Sequence, residues 1–260
     1  MSTLRARCPD CRTLTAVALG GGEYECHSCG RTFRAGLVRV PRAWGDGGEE
    51  MVEAAFLPLP YPEAGVIEED TLTEQSLALA ASLPERPLVL GGCCCAHVGA
   101  IEALATRYGR LAVAWFDAHG DLNTPESSPS GNQWGMLFRM LLDSGTIEPE
   151  DAVLVGARNL DSPEKEFIAA TGLRTGADGV APALEGTDAV YVAFDCDVLD
   201  PNDEVAAYMP EPGGFTVSES EEILRAIAAA KPVAGAGLSG LSADPGNVSP
   251  LARLCAALGL

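Results

Sequence analysis

Two short acidic motifs are the residues of this chain best suited to chemistry: Asp117-Ala-His119-Gly-Asp121-Leu-Asn123-Thr-Pro125 and Asp195-Cys-Asp197-Val-Leu-Asp200-Pro201. Each follows a strand-like apolar run, residues 111–116 and 189–194. In a parallel α/β sheet, residues just past the C-terminal ends of neighbouring strands converge on one crevice. That would gather Asp117, His119, Asp121, Asp195 and Asp197. Four carboxylates share such a space only when cations neutralise them. Oxygen donors with one imidazole suit a borderline-hard divalent ion, and two ions balance four negative charges better than one. The pattern predicts a binuclear site of the manganese type. Either motif alone reads equally well as solvated loop acids; two of them after two buried strands favour the metal site.

The elements that must position these motifs are legible as alternating patterns. Strand signals recur at 87–90, 111–116, 152–156, 189–194 and 233–238. Between them run helix-like stretches at 96–107, 135–144, 163–171, 217–230 and 250–258. Apolar strands alternating with amphipathic helices predict a parallel, doubly wound sheet. The acidic, proline-spotted segment 38–84 carries one helix signal, 69–82, and is expected to wrap the sheet edge.

At 260 residues, 47% hydrophobic and with 29 glycines, the chain can bury a full α/β core without an oligomer. No apolar run approaches the ~20 residues needed to span a bilayer, and the first residues, Met-Ser-Thr-Leu-Arg-Ala-Arg, hold no apolar signal core. A cytoplasmic protein without a membrane partner is expected. A formal charge of -20 argues against a nucleic-acid partner, because phosphate binding draws on clustered Lys and Arg. The same field favours a small cationic or polar substrate.

Nine cysteines, an odd number, favour thiols and metal ligation over a disulfide framework. Cys8-Pro-Asp-Cys11 and Cys26-His-Ser-Cys29 are two Cys-x2-Cys knuckles separated by a hairpin-like segment around Gly20-Gly-Gly22. Four thiolates at this spacing suit one structural Zn2+. They define a zinc ribbon over residues 1–36, followed by the main domain at 37–260. His27 reads as a surface residue, since four cysteines already complete the shell. Only Arg5, Arg7, Arg12, Arg31 and Arg34 accompany the ribbon, so a protein contact or a lid over the main site is expected rather than nucleic acid.

Taken together, Asp117-Ala-His-Gly-Asp-Leu-Asn-Thr-Pro, Ser130-Gly-Asn132 and Asp195-Cys-Asp-Val-Leu-Asp-Pro resemble the ureohydrolase family of arginase, agmatinase and formiminoglutamase, over residues 88–260. The resemblance implies a three-layer α/β/α fold with two Mn2+ ions bridged by a hydroxide. It implies that Asp117 and Asp195 bridge both ions, that His119 and Asp197 complete one, and that Asp121 completes the other while also hydrogen-bonding the hydroxide as the catalytic carboxylate. Asn123 and Ser130 fall where the family holds a substrate carboxylate. Asp161, ending Val155-Gly-Ala-Arg-Asn-Leu-Asp161, falls where it contacts a substrate amine. A homo-oligomer, commonly a trimer or hexamer, is also implied.

Three departures stand out against that resemblance. The family's sixth ligand is a histidine, whereas the run here reads Gly91-Gly-Cys-Cys-Cys-Ala-His97. Ungapped, Cys94 takes the position, and a thiolate would bias that half toward zinc or iron. His97, three residues on, is the alternative donor. A third reading makes all three cysteines packing residues and leaves one ion on Asp117, His119 and Asp197, as in the related histone deacetylases. Trp134 stands where the family carries a histidine proton shuttle, and reads as a packing aromatic over the pocket mouth. Ser242 stands where a glutamate grips the guanidinium, with Asp244 nearby as a compensating carboxylate.

The functional expectation is a metal-dependent hydrolase of a C–N bond in a guanidino, amidino or related linear amide substrate. Its alternative is a non-catalytic relative that binds metal structurally and a protein partner through the zinc ribbon. A redox role for the Cys93-Cys94-Cys95 run ranks last, because adjacent thiols make poor disulfides.

Overall fold

The computed structural model describes residues 5–6, 8, 11, 13, 15–20, 23–34 and 36–260. The expected hairpin tip at Gly21 and Gly22 and the basic residues Arg7 and Arg12 lie outside the described residues.

Four short strands form the N-terminal sheet: β1 (Arg5–Ala6), β2 (Ala16–Gly20), β3 (Glu23–Cys26) and β4 (Thr32–Arg34), antiparallel in the order 1-2-3-4. The four cysteine sulfurs lie together, with Cys8 Sγ 3.6 Å from Cys29 Sγ and Cys11 Sγ 3.5 Å from Cys26 Sγ. Sulfurs around a tetrahedral zinc with ~2.3 Å bonds stand about 3.8 Å apart, so the spacing suits ligation and is too long for disulfides. β1 lies near β6 (Glu63–Val66), the edge strand of the main sheet, without pairing to it.

Seven further strands complete the main sheet: β5 (Leu37–Val40), β7 (Leu88–Gly91), β8 (Leu111–Phe116), β9 (Ala152–Val155), β10 (Arg174–Thr175), β11 (Ala189–Asp195) and β12 (Val233–Ser239). The order is β10-β9-β8-β11-β12-β7-β5-β6, and every pairing is parallel. Both faces are covered, which is why the central strands read as unbroken apolar runs. Leu111, Val113 and Trp115 of β8 pack on one side with Tyr191 and Ala193 of β11. Ala112, Ala114 and Phe116 pack on the other with Val190, Val192 and Phe194.

The first layer holds α1 (Leu72–Ser82), α2 (Val98–Tyr108), α3 (Leu137–Asp143) and α4 (Ser162–Thr171); the second holds α5 (Val180–Leu184), α6 (Val217–Ala230) and α7 (Val248–Ala257). This is the expected three-layer α/β/α arrangement. Helix α1 starts three residues later than its apolar pattern suggests because Thr71 caps it, its hydroxyl accepting from the Glu74 amide at 3.2 Å.

The segment 38–84 departs from expectation. Instead of only wrapping the sheet edge, the chain from Leu37 onward supplies two parallel strands, β5 beside β7 and β6 outside β5. Pairing is backbone chemistry, and the acidic composition that masked these strands is tolerated because β6 is an edge. Arg39 in β5 is buried but partnered, donating to Glu63 at 2.6 Å and to the carbonyl oxygens of Ala55 and Leu57.

Among the described residues no helix is long and apolar enough to cross a membrane.

Candidate metal centre

β8 and β11 are neighbours, but the chain leaves β8 toward β9 and β10 and leaves β11 toward β12 on the other side. The two aspartate motifs therefore open at a topological switch point, where the diverging connections leave a crevice past the strand ends. Matched register along Ala189 to Phe194 and Leu111 to Phe116 puts Asp117 and Asp195 side by side.

Short backbone hydrogen bonds fix the carboxylates. Asp117 Oδ1 accepts from the His119 amide (2.7 Å), and Asp117 Oδ2 accepts from the Trp115 indole (3.3 Å). Asp197 Oδ1 accepts from the Ala118 amide (2.9 Å), and its Oδ2 lies 2.8 Å from His119 Nδ1. Asp195 caps the 3-10 turn Cys196–Val198, its Oδ1 accepting from the Asp197 amide (3.0 Å). Its Oδ2 accepts from the Cys94 thiol (3.0 Å) and the Ser239 hydroxyl (3.2 Å).

Asp121 is held in a left-handed backbone conformation, φ 51°, alone among the described non-glycine residues. Such a conformation costs of order 1–3 kcal/mol, and it aims the side chain inward. Its buried Oδ2 has no hydrogen-bond partner among the described residues. Two sets of ligand atoms result, each within 4.8 Å: Cys94, Asp117 and Asp121, and Asp117, His119 and Asp197. Asp117 belongs to both.

Burial and mutual repulsion dominate the electrostatics of these carboxylates. Burial, with Asp197 beside it, pushes Asp195 up to about 7. Burial and Asp117 push Asp197 up to about 6, and burial followed by Asp117 and Asp195 drives Asp121 well above the carboxylate range. Burial also raises Asp117 and, with Asp195, Asp121 and Asp117, the Cys94 thiol. Burial opposes a charged His119, yet its hydrogen bonds to the Asp117 and Asp197 carboxylates outweigh it and push the imidazole up to about 12. A divalent cation would reverse each of these acid shifts.

His97 does not enter the cluster. It is fully buried behind it, its Nδ1 3.2 Å from the Tyr191 hydroxyl and its Nε2 3.1 Å from Ser239 Oγ. Its ring leaves no room for a side chain at Gly237, where a Cβ would stand 2.3 Å from Nδ1. Of the two donors weighed from sequence, Cys94 is the one that reaches the aspartates; Ser239 links it to His97 at 3.3 Å.

A cavity of about 180 Å³ opens onto these residues, and Asn123, Ser130, Asp161 and Trp134 all line it. Asn123 donates to Asp161 Oδ2 at 3.0 Å. Ser242 does not line it: its hydroxyl turns to the Ala206 carbonyl (3.0 Å). Asp244 is no compensating carboxylate, since it caps the 3-10 turn Pro245–Asn247 and accepts from the Gly246 amide. No described ribbon residue lines the cavity, so the expected lid is not formed by them.

Sequence reasoning missed two acids. Glu164 lines the cavity, buried, with its oxygens accepting the Leu122 (3.0 Å) and Asp161 (2.9 Å) amides. The spacing Asp161-Ser-Pro-Glu164 is a capping-box signature that could have flagged it. Glu211, 3.5 Å from His119 Nε2, carries no such signal.

Gly240 tests the geometry. At φ +68° a Cβ there would stand 1.9 Å from Asp195 Oδ1. Gly240→Ala is expected to lose ~1–3 kcal/mol from backbone strain alone and to push the carboxylate out of place. Thermal unfolding and metal content read both; an unchanged melting temperature with full metal would contradict the placement of Asp195.

A sequence model described as the Arginase family matches residues 63–253. The arginase of Bacillus caldovelox is 37% identical over 176 residues, 58% of this chain and 59% of that protein. That of Staphylococcus aureus strain MRSA252 is 37% identical over 166 residues, 54% of this chain and 55% of that protein. The aligned stretch thus spans somewhat over half the length of these curated relatives. Among solved structures, B. caldovelox arginase superposes with a TM-score of 0.72 at 27% identity, covering 86% of this chain and 97% of that one. The proclavaminate amidino hydrolase of Streptomyces clavuligerus gives 0.68 at 26%, covering 86% and 89%. With the fold, the switch-point crevice and the match across 63–253 in agreement, this chain belongs to the arginase family.

Proposed function

We propose that the chain is a binuclear-metal hydrolase of a C–N bond in a guanidino, amidino or related linear amide substrate. The observation that supports this is four carboxylates, Asp117, Asp121, Asp195 and Asp197, buried along one cavity, with Asp121 Oδ2 left unpartnered among the described residues where a cation would satisfy it. Asp117 and Asp195 would be shared by two ions, with His119 and Asp197 completing one half and Cys94 and Asp121 the other. Bound there, the divalent pair supplies Lewis-acid stabilisation and activates water. The imidazole half suits manganese, whereas a thiolate at Cys94 favours a softer ion such as zinc.

The chain's own residues supply the rest. Asp121 holds the proton released as water attacks. Asn123 and Asp161, tied to each other, and Ser130 at the mouth hold the polar end of the substrate. Trp134 packs against Gly45 and walls the cavity, and an indole cannot serve as proton shuttle near neutrality. Because Ser242 faces away, a guanidinium would find no carboxylate from that loop, which favours a less strongly cationic scissile group than arginine's.

The division at 36/37 separates a ribbon, its zinc held by Cys8, Cys11, Cys26 and Cys29, from the hydrolase domain. Homo-oligomerisation and a protein contact through the ribbon belong to the same proposal.

Metal analysis of protein purified without chelator tests it. One zinc in both wild type and Asp195→Ala, plus further ions lost only in the variant, is expected, followed by turnover on a panel of guanidino, formimino and amide compounds. Zinc alone in both, with no turnover, would leave the non-catalytic reading in its place.

A further inference from the structure

Glu211 sits outside both aspartate motifs, on the loop before α6, yet its Oε1 stands 3.5 Å from His119 Nε2. That loop is anchored. The Arg158 guanidinium donates to the carbonyl oxygens of Glu211 (2.6 Å) and Pro212 (3.0 Å), and also to those of Asp197 (2.7 Å) and Gly156 (3.0 Å). Asn159 Nδ2 donates to Glu211 Oε1 at 2.9 Å. The backbone amides of Arg158 and Asn159 both donate to the Ala118 carbonyl, at 2.8 and 2.9 Å, between Asp117 and His119. One dipeptide after β9 therefore braces both aspartate loops and the Glu211 loop against each other.

The two nitrogens of His119 face different surroundings. Nδ1 looks into the cluster, 2.8 Å from Asp197 Oδ2 and 3.4 Å from Asp117 Oδ1, while Nε2 looks at Glu211. An imidazole that binds a metal must give up the proton on the ligating nitrogen, and a carboxylate on the other nitrogen keeps the remaining proton there. We propose that Glu211 is a positioning residue for metal binding: steadied by Asn159 and by the Arg158-anchored loop, it accepts the Nε2–H of His119 and so presents Nδ1 to a divalent ion. The inference rests on the metal-centre reading above. At 3.5 Å the two groups stand at ion-pair distance, with Glu211 Oε1 held in place by Asn159 at 2.9 Å.

The test uses the full chain, its ribbon zinc in place, titrated with Zn2+ and followed by nitrogen-15 NMR of the imidazoles. Only three histidines are present, and the His119 ring is assigned by its loss in His119→Asn. In wild type, Nδ1 is expected to show the metal-bound shift and Nε2 to carry a slowly exchanging proton. Glu211→Ala should lose that slow exchange and weaken Zn2+ binding at the main centre by about 10–100-fold, with ribbon zinc unchanged. Glu211→Gln, which keeps an acceptor, should recover much of both. Wild-type affinity and Nε2 signal in Glu211→Ala would overturn the inference, as would weaker binding with the Nε2 proton undisturbed, which marks a loop effect only. A wild type that takes up no ion beyond the ribbon zinc overturns the metal-centre reading and this inference together.

Discussion

Asp117→Ala is expected to lower turnover by about four orders of magnitude, roughly 5 kcal/mol of transition-state stabilisation, and to empty both halves of the metal centre at once. The reason is topological. Asp117 is the residue common to the two ligand sets, and it sits at the end of the central strand, tied by Trp115 and by its own turn. Loss of a peripheral ligand such as His119 removes one set and leaves the other. Because Asp117 is buried, a folding defect could imitate the result, so Asp117→Asn, of the same shape, accompanies it. Turnover on the best compound of the panel, metal content and circular dichroism are read together. A folded Asp117→Asn protein with wild-type metal and turnover would sink the shared-carboxylate reading.

Cys26→Ser in the ribbon is expected to have the second largest effect, on structure rather than chemistry. Described ribbon residues contribute few buried apolar side chains, chiefly Ala16 and Tyr24 besides the cysteines. A unit so small is expected to lean on zinc, whose binding supplies on the order of 10 kcal/mol or more in zinc-finger peptides. One zinc equivalent should be lost, and protease should cut within 1–36 while 37–260 stays resistant, since the parallel sheet buries its own two cores. The melting temperature of the main domain should move by only a few degrees. Retained zinc and a ribbon as protease-resistant as wild type would remove the structural role assigned to the four sulfurs.

The two effects differ in kind because the modules are stabilised differently. The main sheet is stable through apolar burial on both faces, with Trp115, Tyr191, Phe116 and Phe194 fully enclosed. The carboxylates crowded at its switch point are a polar cost carried by that stability. A left-handed Asp121 and raised carboxylates are tolerated because the surrounding strands over-determine them.

Much of this was legible in the sequence for local reasons. Strands buried on both faces must be continuous apolar runs, so residues 111–116 and 189–194 stood out, and a helix was expected over 217–230, where the structure shows α6 (Val217–Ala230) capped by Thr216 and Glu219. Ligand chemistry is written in residue types and spacing, which is why Asp117, His119, Asp121, Asp195, Asp197 and the four ribbon cysteines stand out in the sequence as candidate ligands.

What only the tertiary structure decided involves side chains and strands brought together from far apart. β5 and β6 joined the sheet through backbone pairing that composition does not encode. The choice of Cys94 over His97 depended on Tyr191 and Ser239, each more than ninety residues away, offering the imidazole partners behind the cluster. Ser242 and Asp244 turned from the cavity because Ala206 and a local turn claimed their oxygens. Glu211 reached His119 only because Arg158 and Asn159 hold its loop across the crevice. Periodicity and spacing encode what a residue can do and which local element it favours; which distant groups meet it is settled by the order in which the strands stack.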